Sequence, residues 1–375
     1  MEAGRARMTE TKNIYFRLPE FLSRDSRACL AVLLRTSGST PQVAGSAALF
    51  GTRGLVLGTI GGGILEAEVE RQALRSLRAK DRRPHLREFR LEGDFAEKNG
   101  AVCGGSAEVL IDPAVRESAS VFCQVRRSLL GREPGILLTV IGDPSFPAAR
   151  VKRRWLRMKD LGQFGTLKRY GYEEEIRLAA DQDSPGLFQL GRGRRRRFLF
   201  VEPLFPLSRL IIAGAGHVGR AVAHLGSLLD FEVAVIDDRP EYANWERFPE
   251  ADRILVGDIG KTLSGLPLGP DSFVVIVTRG HSRDAEALRS SVGREAAYIG
   301  VIGSRRKVRL MRREFLAKGW VSPEELEMVH SPIGLKIGSK TVEEIAVSIA
   351  AELVLVRNRK PGMIRTGRGI PPAGF

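Results

Sequence analysis

The stretch RLIIAGAGHVG, residues 209–219, constrains the fold more than any other part of the chain. An apolar run leads directly into glycines at 214, 216 and 219, and HVGRAVAHLGSLLD follows with helical spacing. The glycines of such a fingerprint do different things: they allow a tight turn, a close backbone approach to phosphate, and tight helix–strand packing. A helix that starts here, at His217, offers unpaired N–H groups and the positive end of its dipole to an anion. Asp237 ends the next apolar run, EVAVIDD, at about the 20-residue spacing from which a carboxylate reaches a ribose. RILVGD, FVVIVTRG and AAYIGVIGS repeat the apolar pattern with helical stretches between them. Strands this apolar imply a parallel sheet covered on both faces. Residues 207–360 are therefore predicted to form a Rossmann-like doubly wound parallel sheet. Its last helix, in TVEEIAVSIAAELVLVRNR, opens with a capping-box pair, Thr341 and Glu344.

Upstream the pattern is a different one. CLAVLLRT, AALF, LVLGTI, REFRL, AEVLIDP and GILLTVIGD read as short strands, and ILEAEVERQALRSLRAK and residues 115–130 as helices. The expectation for residues 14–145 is a mixed α+β domain, so the chain as a whole is α/β. Periodicity weakens over 146–206, which reads as a linker or a peripheral strand pair. RGRRRR at 192–197 is expected to be an exposed part of it.

Four groups of residues could carry chemistry. The fingerprint itself supplies Gly214, Gly216, His217, Gly219 and Asp237. Later strand ends supply Arg279, His281 and Asp284, then Ser304, Arg305, Arg306 and Lys307. In a doubly wound sheet, ligands sit outside those carboxyl ends. Cations at a helix start oppose its dipole, so they need another reason, and a phosphate supplies one. Cys103-Gly104-Gly105 places a thiol beside bare backbone, where a thiolate could ligate a soft metal or carry sulfur. Glycine-rich GSTPQVAGS and GTIGGGILEAE, the latter with Gly61, Gly62, Gly63 and Glu66, suit an extended phosphate-bearing ligand. His330 reads as a hydrogen-bonding loop residue, and Cys29 and Cys123 as structural.

Bulk properties narrow the class. A net charge of +15 favours anionic partners. The basic runs lack interleaved aromatics and a recognition helix, which argues against nucleic acid. Three scattered cysteines argue against a disulfide framework and a structural zinc site, and favour a reducing cytoplasm. No apolar run is long enough to span a membrane.

Taken in order, GSTPQVAG, GTIGGGILEAEV, VCGGSAEVLIDP, IIAGAGHVG, IDDRPEYAN, TRGH, IGSRRK and HSPIGLKIGSKTVEEIAVSIAAEL closely resemble the XdhC/CoxI family of xanthine dehydrogenase accessory proteins. The resemblance runs from Ala31 to Arg357. It implies a family-specific N-terminal domain followed by a Rossmann domain. It implies an accessory protein that binds molybdopterin molybdenum cofactor as cargo, supports its sulfuration with a cysteine desulfurase, and inserts it into an apo molybdenum hydroxylase. Proteins of cofactor biosynthesis are implied as further partners, and a homodimer is the commonest assembly. Cys103 matches the family's CGG cysteine. Some members carry a cysteine after the triple glycine, where this chain has Ile64, and others a cysteine pair, where it has Val102 before Cys103. Both departures argue against a role that needs two thiols. The competing class is an NAD(P)-dependent oxidoreductase, which explains Gly214 to Asp237 but neither the N-terminal glycine loops nor CGG.

Overall fold

A computed structural model describes residues 14–24, 27–40, 42–90, 105–143, 146, 149–161, 171–191 and 196–358. The chain divides into two compact units between Pro206 and Leu207.

The first unit holds two antiparallel sheets. Strands β1 (Cys29–Gly38), β2 (Ala47–Gly51), β3 (Gly54–Gly58), β4 (His85–Arg90) and β5 (Gly105–Asp112) form a sheet of order β3-β2-β1-β5-β4. Helix Gly63–Ala79 covers one face. Its Leu65, Val69, Ala73 and Leu77 pack against Cys29, Ala31, Leu33, Phe50 and Val109. The i, i+4 spacing of those helix residues makes the apolar stripe. Leu30, Val32 and Leu34 are buried as well, so β1 is apolar on both faces and reads as an unbroken hydrophobic run.

The second sheet revises the sequence reading of 146–206. Strands β6 (Gly135–Gly142), β7 (Val151–Arg157), β8 (Gly186–Leu190) and β9 (Arg197–Leu204) pair in the order β7-β6-β9-β8. Helix Glu173–Gln182 packs Ile176 and Ala179 onto Ile136, Leu138, Leu199 and Val201. The described part of 146–206 therefore belongs to a sheet with its own core and is more than a linker. Charge hid the strands: β7 reads VKRRWLR, and its Arg153 is buried as an ion pair. Arg196 and Arg197 of the basic run also enter this sheet region, Arg196 bridging to Asp143 at 3.0 Å; Arg192, Gly193, Arg194 and Arg195 lie outside the described residues.

The second unit matches its expectation. Strands β10 (Arg209–Ala213), β11 (Glu232–Asp237), β12 (Arg253–Val256), β13 (Ser272–Ile276) and β14 (Tyr298–Val301) are all parallel, in the order β12-β11-β10-β13-β14. Side chains alternate along each strand. Leu210, Ile212, Val233, Val235, Phe273 and Val275 pack with Val222 of helix His217–Leu228 and with Ile349 and Leu353 of helix Val342–Arg357. Ile211, Ala213, Ala234, Ile236, Val274 and Ile276 pack on the other face with Leu263, Leu288, Met311 and Phe315. Helices thus cover both faces. The strand order reverses between β10 and β13, and a crevice opens outside their carboxyl ends at such a point.

Candidate functional site

In the Rossmann unit, the parallel register brings the loops after β10, β11, β13 and β14 to one edge of the sheet. The three fingerprint glycines then differ in what holds them. Gly214 has φ +118, and a Cβ there would stand 2.5 Å from the Val277 carbonyl oxygen of the loop after β13. A Cβ on Gly219 would fall 2.0 Å from the Gly214 oxygen. Both are demanded by close backbone approach. Gly216, the N-cap of helix His217–Leu228, has φ −72, and a Cβ there would meet nothing within 4 Å. Gly280, which precedes helix His281–Arg289, is equally bare. Among the described residues neither packing nor backbone conformation requires glycine at these two positions, and both leave backbone without a side chain at a helix start.

Asp237 is 2% exposed and faces inward. Its Oδ2 accepts a hydrogen bond from Ala215 N at 2.8 Å, and Arg239 donates to Oδ1 from Nε (2.8 Å) and to Oδ2 from Nη2 (3.0 Å). Burial pushes this carboxyl up, but the Arg239 guanidinium and the backbone donors outweigh it and bring it down to about 2. Asp237 is therefore a brace between the glycine loop and Arg239. Arg239 in turn stacks on Tyr242, 3.8 Å from the ring centroid. Asp238 faces Arg239, Arg279 and Arg283.

The loops after β13 and β14 are stapled together. Asp284 is fully buried and accepts from Thr278 N (3.1 Å), from Thr278 Oγ1 (2.5 Å) and from Lys307 Nζ. Ser304 caps the next helix through Lys307 N. Arg305 opens that helix. His217 and His281 are exposed, and His281 Nε2 lies 3.5 Å from Glu314. His330 is buried, its Nδ1 3.0 Å from Glu352, which also accepts from Tyr298 Oη and Gly334 N. The HSPIGL loop is thus anchored to the terminal helix through Glu352. Sequence reasoning missed Arg239 and Lys307's partner: Arg239 stands two residues beyond Asp237, but which way the carboxylate turns is a tertiary matter.

In the first unit, register places the ends of β1 and β3 and the start of β5 on one side of the sheet. Gly105 pairs with Gly38, and a Cβ on Gly105 would stand 2.6 and 2.7 Å from the Ser37 and Ser39 carbonyl oxygens. The start of the GST turn and Gly105 are therefore neighbours. Gly58 pairs with Ala48, which pairs with Ala31, so the triple-glycine loop sits several residues lower along the strands. At about 3.3 Å per residue the Gly38–Gly105 end projects roughly 20 Å beyond it. Gly61, Gly62 and Gly63 all have positive φ, and Gly62 and Gly63 face open space. Glu66 reaches back to accept from Thr59 Oγ1 (2.6 Å) and Ile60 N (3.0 Å), which fixes the loop. Cys103 and Gly104 lie outside the described residues. Cys29 is buried at the start of β1, whereas Cys123 is exposed on helix Ala119–Leu130 and fills no core. Among the described residues no cluster of three or more His, Cys, Asp or Glu could hold a metal ion, and no helix is long and apolar enough to cross a membrane.

Two family models match the chain: the XdhC and CoxI family over residues 21–90, and the XdhC Rossmann domain over residues 210–353. "Uncharacterized protein YqeB" of Escherichia coli (strain K12) is 27% identical over 351 residues; the match takes in 93% of this chain but 47% of YqeB, so the chain spans about half the length of that relative. A Bacillus subtilis (strain 168) protein, named as a probable xanthine dehydrogenase subunit, is 28% identical over 349 residues, covering 92% of this chain and 98% of that protein. A solved structure described as a xanthine dehydrogenase from Bacillus halodurans is similar with a TM-score of 0.71 at 24% identity, covering 92% of this chain and 96% of that one. At that identity the likeness establishes the fold.

Proposed function

The chain belongs to the XdhC and CoxI family, and from that premise we propose that it is a maturation factor for a molybdenum hydroxylase of the xanthine dehydrogenase kind. The observation that carries the reading is the presence of both family segments, in order, in one chain, each within its own folded unit. The nearly equal-length relative named for a xanthine dehydrogenase supports the same partner class.

In finer detail, the protein holds the molybdopterin molybdenum cofactor as cargo. It keeps that cargo available for sulfuration by a cysteine desulfurase and delivers it from the biosynthetic proteins to the apo-hydroxylase. The cargo combines a phosphate, a dithiolene and a soft metal. The helix starts at Gly216, Gly280 and Ser304, the last followed by cations, suit the phosphate. A thiolate at Cys103 suits the metal or a transferred sulfur. Gly105, the last residue of that segment, packs against the Ser37 and Ser39 backbone at the start of β5.

The test is co-production with the apo-hydroxylase in a host that makes the cofactor, followed by molybdenum content and activity of the purified hydroxylase. Omitting this chain should leave the hydroxylase folded and molybdenum-poor. Cys103→Ser nearly preserves volume, so it should keep the fold while abolishing delivery. A Cys103→Ser protein that still fills and activates the hydroxylase excludes the thiol role. A hydroxylase fully active without this chain excludes the maturation role.

A further inference from the structure

The position where a Rossmann crevice receives the adenosine ribose of a dinucleotide is already chemically committed here. A ribose diol needs a free acceptor at the end of the second strand. Asp237, the residue at that end, gives both oxygens to Ala215 N and to the Arg239 guanidinium and backbone N–H. What the crevice presents instead is Arg239. Its Nε and Nη2 are used on Asp237, while Nη1 makes no hydrogen bond among the described residues. The guanidinium is held flat on Tyr242, whose ring also carries Arg247 at 5.0 Å. Asp238 beside it is engaged by Arg279 and Arg283.

We infer that this crevice binds a dinucleotide bearing a phosphate monoester on the adenosine ribose, the NADP class, in preference to the NAD class, and that Arg239 is the residue that selects it. A diol offers a guanidinium only neutral hydroxyl acceptors and leaves its charge unmatched, whereas a phosphate dianion offers charged acceptors that form stronger, charge-assisted bonds. The pinned, stacked side chain is pre-organised, so little rotamer freedom is lost on binding. Gly216 supplies the second independent feature: among the described residues nothing stands within 4 Å of a Cβ there, and its absent side chain lets a pyrophosphate approach the helix start. The inference goes beyond the maturation role and does not depend on molybdenum.

Isothermal calorimetry on the full chain, without molybdenum cofactor, tests it with NADP+, NAD+, adenosine 2′-monophosphate and adenosine 5′-monophosphate. Tighter binding of NADP+ than NAD+, by about tenfold or more, is expected from the added charge-assisted bonds. The 2′-monophosphate should likewise outbind the 5′-monophosphate on the unaltered chain, which requires no variant to fold. Arg239→Ala, if folded by circular dichroism, should erase the preference. Equal or tighter binding of NAD+, no binding of NADP+ at millimolar concentration, or a folded Arg239→Ala protein that keeps the preference would each overturn the proposal. Loss of hydroxylase activation with normal NADP+ binding would strike only the maturation reading.

Discussion

At the scale of single residues, buried charge governs the first unit. Glu202 on β9 is 3% exposed, accepts from Tyr15 Oη at 2.7 Å, and lies close enough to Arg153 to feel its charge. Arg153 is itself buried against Asp112 at 2.6 Å, with Nη2 unpartnered. Burial raises the Glu202 carboxyl, the Tyr15 hydrogen bond and Arg153 only partly oppose it, and the result is about 7. Between about pH 4.5 and 7 the unfolded chain releases this proton while the folded protein keeps it, so stability falls as pH rises through that window. Glu202→Gln keeps an oxygen for Tyr15 and removes the proton. It should flatten this part of the pH dependence and add on the order of 2 kcal/mol at pH 8. Urea midpoints at pH 5 and pH 8 read the effect; an unchanged difference between wild type and variant at the two values would refute it. Gly105 is limited by shape instead. Gly105→Ala places a methyl against two carbonyl oxygens that belong to backbone and cannot swing aside. It should cost about 1–3 kcal/mol and lower the thermal midpoint. A midpoint within one degree of wild type would show that β1 and β5 can part without cost.

Among the elements, helix Val342–Arg357 both fills the core and braces a loop of the Rossmann unit. Ala346, Ile349, Leu353 and Val356 fill the core on one face of the sheet, and Glu352 gathers Tyr298, His330 and Gly334. Its start is fixed by the reciprocal pair of Thr341 and Glu344. Thr341→Ala leaves one N–H without its acceptor and should cost about 1 kcal/mol. Because the helix is bonded to the HSPIGL loop, the loss should appear as faster amide exchange at residues 330–335 as well as in the helix; exchange confined to the helix would argue that the loop is held independently. The triple-glycine loop contrasts with this helix. Its backbone conformation demands glycine, and Glu66 braces it from the first turn of Gly63–Ala79.

For the molecule as a whole, each unit carries its own cores, and the Rossmann sheet is covered on both faces by helices of the same unit. Residues 207–358 produced alone should therefore unfold in one cooperative transition with native near-ultraviolet circular dichroism. A non-cooperative, dye-binding product would mean that the unit depends on the rest of the chain.

The same contrast separates what sequence settled from what it left open. The parallel strands β10, β11 and β13 are apolar on both faces, so their runs stand out without any partner in view. Gly214, Gly216 and Gly219 announced a strand–turn–helix, and Thr341 with Glu344 announced a helix start, because those constraints are satisfied within a few residues of chain. The strands of 146–206 were legible only as one alternative to a linker, because β7 alternates charged and apolar residues and shows its register only once its neighbours are placed. The roles of Gly214 and Gly216 differ for the same reason: one meets the loop after β13 and the other meets open space. Asp237 marks the end of a strand in any reading, but its occupation by Arg239 depends on how the carboxylate turns against the glycine loop. Local sequence fixes backbone geometry where a single turn or period decides it. Distances between residues far apart in the chain, such as Tyr15 and Glu202 or Asp284 and Lys307, exist only after the sheets have closed, so tertiary structure alone assigns those side chains their partners.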